Sequence, residues 1–200
     1  MTVFVLHNIS EHLALNGCCT EVLYTLPDTA LQRNGKPVFI PDFAMPCEMT
    51  VHLALRISRL GRTVSPRFAY RYWDAATVVP HFVAKEMLLE AQRQGLPWSA
   101  ATGFDSALPV GNFIAKEDLL AADGVIAYGI QTSDGAEMKG TAQDVETLAA
   151  STIARISKYY MVRNGDMILL PAPVKGYCPS INTHVEGYVG DHRVLAFNIK

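Results

Sequence analysis

The chain has 200 residues, half of them hydrophobic, with 17 basic and 19 acidic side chains and a net charge of −2. That composition suits one compact domain over residues 1–200 with a sizeable core. It offers no basic stripe for nucleic acid and no acidic tail of the disordered kind. No run of about 18 apolar residues occurs, so no membrane span is expected. The apolar stretch Met1–Leu6 is too short for a signal peptide and lacks a basic start. Cys18, Cys19, Cys47 and Cys178 form neither a C-x-x-C pair nor a zinc spacing, and two of them are adjacent. They read as reduced, buried small hydrophobes, and the expected location is cytoplasmic.

In chain order, Val3–Leu6 reads as a short buried strand. Ser10–Leu15 reads as a capped helix ended by Asn16-Gly17. Leu23–Thr25 is a further strand, and Asn34-Gly35 turns the chain into a strand over Pro37–Ile40. Met49–Ile57 is rich in Val, Leu and Ile and reads as a central strand. After the Leu60-Gly61-Arg62 turn, Arg67–Trp73 is a short helix and Ala75–Val79 a strand. Lys85–Gln94 has the composition of a helix that Gly95 stops. Residues 97–111 are punctuated by glycine and proline and read as irregular. Gly124–Thr132 is a strand leading to the Asp134-Gly135 hairpin turn. Asp144–Tyr160 is helical, with Val145, Leu148, Ala149, Thr152, Ile153 and Ile156 on one face. Asn164-Gly165-Asp166 turns into the buried strand Met167–Leu170. Val185–Tyr188 and Val194–Ile199 form a terminal hairpin. Many short strands with a few helices point to a mixed α+β, β-rich roll or barrel and not to a doubly wound sheet.

Several stretches, in order, resemble the fumarylacetoacetate hydrolase family, and its small bacterial members in particular. Pro27–Leu31 and Pro41-Asp42-Phe43 match those members directly. Leu6–His12 falls on the family's opening turn, which leads to a histidine. The glutamate-x-glutamate strand falls on Glu48-Met49-Thr50, and the aspartate-containing loop on Pro80–Glu86. The lysine-x-phenylalanine-aspartate segment and the following proline-x-glycine fall on Thr102–Asp105 and Pro109–Gly111. The proline-glycine-aspartate turn and the threonine-glycine-threonine-proline loop fall on Asn164–Asp166 and Leu170–Pro173. The resemblance spans Leu6 to Lys200. It implies a β-rich fold with few short helices and a homodimer. It further implies an Mg²⁺ or Mn²⁺ site for hydrolysing or isomerising 2-oxo and diketo acids.

A hard divalent cation wants several anionic oxygen ligands. Two glutamates one residue apart on a strand face the same side, which is what the family pattern would supply. Here only Glu48 remains of the pair. Thr50 holds the second glutamate position, and His81 holds the aspartate position. No Mg²⁺ or Mn²⁺ is therefore expected, and Glu48 with His81 offers two ligands to Zn²⁺ where a catalytic zinc uses three. His52 shares the Glu48 face but stands roughly 13 Å along an extended strand, so it reads as structural.

His12 matches the family's water-activating histidine. Its glutamate partner is replaced by Leu15, so a base and a helix-terminal surface histidine are both open readings. Thr102 occupies the position of the family lysine, which removes a cation for a developing oxyanion. Phe104 and Asp105 keep the family pattern as substrate-binding positions. Pro171, Ala172 and Pro173 fall where the substrate carboxylate would be held, yet they carry no hydroxyl, and the prolines lack N–H donors. Lys85 and Glu86 keep the sign of the family's arginine and aspartate and hint at a structural ion pair, with a solvated helix start the favoured reading. These departures at separate places point to a degenerate member, a binding or assembly protein with the family activity weak or lost. An enzyme rebuilt around His12, Glu48, His81 and Glu86, taking a small 2-oxo acid, is the alternative. A conventional hydrolase or isomerase under a shifted alignment ranks last, because a slip of one or two residues creates no second glutamate near Glu48.

Overall fold

The computed structural model describes residues 1–8, 21–33, 35–120, 125–171 and 176–200. The helix expected over Ser10–Leu15, with His12, lies outside them, as do Ala172 and Pro173. The chain opens with β1 (Val3–Asn8) and β2 (Glu21–Leu26), an antiparallel pair in which Val3 faces Leu26. A 3₁₀ turn at Asp28–Ala30 leads to β3 (Leu31–Arg33), and a second, at Asp42–Ala44, precedes β4 (Cys47–Ile57). Then come α1 (Pro66–Ala69), β5 (Trp73–Ala84), α2 (Lys85–Gln94) and α3 (Ser99–Thr102). The short elements β6 (Leu108–Val110), β7 (Ile114–Ala115) and α4 (Lys116–Leu119) follow. The C-terminal part is built from β8 (Ile126–Thr132), β9 (Glu137–Ala142), α5 (Val145–Tyr159), β10 (Met167–Leu169), β11 (His184–Val189) and β12 (His192–Asn198).

Three sheets result: β2-β1-β10-β4-β5-β7, β12-β11-β8-β9, and β3-β6. Pairing is antiparallel except between β1 and β10 and between β3 and β6. The fold is mixed α+β and sheet-rich, as expected. Among the described residues its sheets end at open edges, so of the roll and barrel alternatives the barrel does not apply.

β4 is buried on both faces for most of its length. Met49, Val51, Leu53, Leu55 and Ile57 enter the main core with Phe82, Ile153, Ile156 and Phe197. On the opposite face Ala54 joins Val3, Val5, Val79, Leu108, Met167 and Leu169 in a second apolar cluster. α5 closes the main core through Val145, Ala149, Ile153 and Ile156. Asp144 caps it by accepting from Thr147 N at 3.2 Å.

Four local expectations need correction. Pro37–Ile40 is no strand; only Val38 forms a bridge, to Ile199. The helix expected over Arg67–Trp73 is the single turn α1, and Trp73 already belongs to β5. Residues 97–111 are not wholly irregular, since they hold α3 and β6. β5 does not stop at Val79 but runs through Pro80 to Ala84. Phe82 N donates to Ala107 O at 2.8 Å, away from β4, and side alternation turns the Pro80 nitrogen the same way. The missing N–H therefore costs no bond to β4.

Asp166 joins the chain's start to β10. Its carboxylate accepts from Thr2 N at 2.8 Å and from Arg163 N at 2.9 Å, and the residue is buried. Asp166→Ala leaves both donors unpaired. The expected loss is about 1–3 kcal/mol in urea unfolding, with Asp166→Asn losing less because one acceptor oxygen remains. A loss below about 0.5 kcal/mol for the alanine variant, the ordinary range of surface changes, would show that water replaces the bonds.

Candidate functional site

The β4–β5 register builds the site. Glu48 faces Val83, Thr50 faces His81, and His52 faces Val79. Side-chain alternation places Glu48, Thr50 and His52 on one face of β4. The sequence-predicted metal positions Glu48, Thr50 and His81 therefore do come together, with His52 beside them. The His52 and His81 ring centroids are 6.0 Å apart.

Each polar group here is engaged within the chain. Glu48 Oε2 pairs with Lys85 Nζ at 2.8 Å. Lys85 thus finds its partner on β4, across the strand end, and not in the neighbouring Glu86. The hydrogen bond from Lys85 to Glu48 holds the ammonium above its ordinary range. Gly176 lies on the other side of the carboxylate: a Cβ there would stand 2.3 Å from Glu48 Oε1. A side chain at Gly176 would therefore require the Glu48 carboxylate to shift. Tyr177 then pairs with Met49 through backbone bonds of 2.7 and 2.9 Å.

His52 and His81 are buried. His52 Nδ1 lies 2.8 Å from Leu170 O, and Nε2 lies 3.0 Å from Thr50 Oγ1. A carbonyl oxygen only accepts, so His52 carries its proton on Nδ1. Thr50 Oγ1 is also 3.4 Å from His81 O. His81 Nε2 donates to Thr102 O at 2.6 Å by the same reasoning. The Thr102 hydroxyl turns back to Trp98 O at 3.0 Å. At the family lysine position there is thus a buried hydroxyl committed to its own helical turn, and no cation.

Phe104 is buried and meets Phe43 edge-on, with centroids 5.8 Å apart. Asp105 is exposed, and Pro171 is half-buried just after Leu170. His12, Leu15, Ala172 and Pro173 lie outside the described residues. The Lys85–Glu48 pair and the His52–Leu170 bond were missed in the sequence. Only the short Glu48–Thr50–His52 alternation hinted at the second.

These residues do not fit a hard divalent cation. One carboxylate remains, and it is neutralised by an ammonium at 2.8 Å. Its companions are a hydroxyl and an imidazole, each held by bonds to the chain. Among the described residues no three His, Cys, Asp or Glu side chains gather closely enough to share an ion. Nor is any helix among them long and apolar enough to cross a membrane.

The fold is that of a sheet-rich α+β protein with a cross-strand polar site. Solved structures share it over the whole chain. A fumarylacetoacetate hydrolase family protein from Yersinia pestis superposes with a TM-score of 0.86 at 20% identity, covering 100% of this chain and 92% of that one. The fumarylpyruvate hydrolase of Pseudomonas aeruginosa, solved with Mn²⁺ and pyruvate, gives 0.85 at 13% identity, covering 100% and 89%. The mitochondrial oxaloacetate tautomerase FAHD1 of Bos taurus is 26% identical over 179 residues, 90% of this chain and 80% of its own length. The pattern described as fumarylacetoacetate (FAA) hydrolase C-terminal matches residues 8–195. This chain belongs to the fumarylacetoacetate hydrolase family.

Cys47 directly precedes Glu48 and is buried, and burial pushes its thiol up to about 12 from 9.0. Thiolate is the reactive form, and at pH 8 it amounts to on the order of one molecule in ten thousand. Iodoacetamide at pH 8 is expected to spare Cys47 in the native protein while labelling exposed Cys178, as read by peptide mass spectrometry. In urea both should label. The unfolded chain also loses this proton first, so the stability that Cys47 contributes is present below pH 9 and falls as pH rises towards 12. Native Cys47 reacting as fast as Cys178 would contradict this burial.

Proposed function

We propose that this chain is a degenerate family member in which metal-dependent hydrolysis or isomerisation of 2-oxo and diketo acids is weak or lost. It serves instead as a binding or assembly protein. One observation carries the reading. Glu48, Thr50 and His81 stand together where the resemblance places three carboxylates, and all three are bonded within the chain. The resemblance would give this spot three negative charges. Here Glu48 and Lys85 cancel, and the other two positions are uncharged or cationic. Hard-ion affinity follows ligand charge, so Mg²⁺ and Mn²⁺ gain little. Thr102 supplies no cation to a developing oxyanion, and losing one such positioned group commonly lowers rate by ~10²-fold or more.

Calorimetric titration is expected to show no saturable Mg²⁺ or Mn²⁺ binding up to roughly 1 mM. The Thr50→Glu, His81→Asp double variant should gain metal binding before it gains turnover. Hydrolysis of acetylpyruvate and tautomerisation of oxaloacetate should both stay at background with either ion present. Turnover near about one per second, the low end for working enzymes, that disappears in Glu48→Ala would overturn the proposal.

The same reading carries a homodimer. It is supported by the exposed apolar side chains Phe43, Met45 and Met87, set on elements that contact one another beside Glu48. Equilibrium sedimentation should give twice the chain mass at micromolar concentration. A monomer there would remove this part of the proposal.

A further inference from the structure

A second site lies on the same strand, away from Glu48. Arg56 is eight positions further along β4, about 26 Å at ~3.3 Å per residue. Together with Arg33, the last residue of β3, it lines a cavity of about 530 Å³. That volume falls in the range of small-molecule sites, roughly 300–1,000 Å³. Val110, Asn112, Phe113 and Leu195 complete the parts used below.

Two close backbone approaches to β12 shape the walls. A Cβ on Gly111 would stand 2.0 Å from Val194 O, and one on Gly35 would stand 2.9 Å from Ala196 O. Asn112 N donates to Val194 O at 2.8 Å, which fixes Asn112 and Phe113 at the rim. The arginines are set up differently. Arg56 gives Nε and Nη2 to Asp74 at 2.8 and 3.0 Å, and its guanidinium lies 5.5 Å from the Phe113 ring centre. Among the described residues Arg33 has only the Met1 thioether, 3.3 Å from Nη2. A thioether is a weak, uncharged acceptor and leaves the guanidinium charge uncompensated. Among the described residues, no carboxylate side chain lines this cavity.

We propose that this cavity binds a small organic anion. Its carboxylate or phosphoryl head sits on the Arg33 fork and the outer edge of Arg56, and its planar apolar body lies against Val110, Phe113 and Leu195. Planar oxygen pairs match the guanidinium fork, and an apolar wall strengthens each charge-assisted bond by excluding water. The site is separate from the Glu48 cluster, so it does not depend on whether that cluster turns over substrate.

The test is titration of the ¹⁵N-labelled protein with phenyl phosphate, benzoate and neutral benzamide, followed by amide shifts. Saturable shifts centred on Gly111–Phe113 are expected with at least one of the two anions, and the stronger of the pair identifies the head group. Benzamide should bind far more weakly. Arg33→Gln, at an exposed position and checked for an unchanged melting curve, should lower affinity roughly tenfold or more, the scale of one charged hydrogen bond. Arg33→Lys should fall between, since it keeps charge and loses the fork. Lys139→Gln, a cation on β9, should leave binding unchanged. Absence of saturable binding by both anions, equal affinity in Arg33→Gln, or benzamide binding as tightly as the anions would each overturn the proposal.

Discussion

The antiparallel ladder between β4 and β5 is the constraint on which the rest of the molecule depends. Its register runs from Cys47 opposite Ala84 to Ile57 opposite Trp73. Strand alternation then sorts β4 into two rows. One row, Met49 to Ile57, fills the main core; the other holds Glu48, Thr50, His52, Ala54 and Arg56. A slip of one residue would drive the polar row into the core and expose the apolar one, so packing pins the register firmly. The same pinning places the Glu48 cluster at one end of the strand and the Arg56 cavity at the other.

Electrostatics explains why the Glu48 end is stable as it stands. Three carboxylates on neighbouring strand positions repel one another unless a cation lies among them. At ~4 Å and an effective dielectric near 20 each pair costs about 4 kcal/mol. Here a hydroxyl, an imidazole and an ammonium replace that demand. His52 bonds Leu170 O, and Leu170 N bonds Leu53 O at 2.9 Å. Tyr177 is bonded to Met49 further along the chain. Leu170 and Tyr177 are therefore both tied to β4. Side chains placed where the family pattern puts metal ligands are thus bonded within the fold.

Much of this architecture was legible because its causes are local. The helix-forming run Lys85–Gln94 ends at Gly95, which adopts φ +66°, and α2 has those bounds. The Asp134-Gly135 turn, with Gly135 at φ +89°, joins β8 to β9. The apolar run of β4 and the one-sided pattern of α5 were equally plain. What stayed hidden depends on residues far apart in the chain. Pro80 looks like a strand end until Ala107 is known to sit beside Phe82. Lys85 looks like a partner for Glu86 until the ladder brings Glu48 to it. Arg33 and Arg56, far apart in sequence, line one cavity together with Val194, Leu195 and Ala196 of β12. The family pattern supplied the cross-strand meeting of Thr50 and His81, which no periodicity argument reaches alone.

Glu48 carries two separate obstacles to a ligand role, and they differ in kind. One is charge: Lys85 must leave a 2.8 Å ion pair before a cation can take its place. That pair is partly exposed, so the cost is modest, as for surface ion pairs generally. The other is space. The Gly176 backbone crosses so near Oε1 that even a Cβ has no room there, and Tyr177 is bonded to β4 immediately afterwards. Seating an ion on Oε1 needs the Glu48 side chain or the Gly176 backbone to shift, which is a packing cost and not an electrostatic one. Adding carboxylates at Thr50 and His81 addresses charge alone. Charge on β4 and β5 and packing at Gly176 are thus separate controls on whether Glu48 can meet an ion.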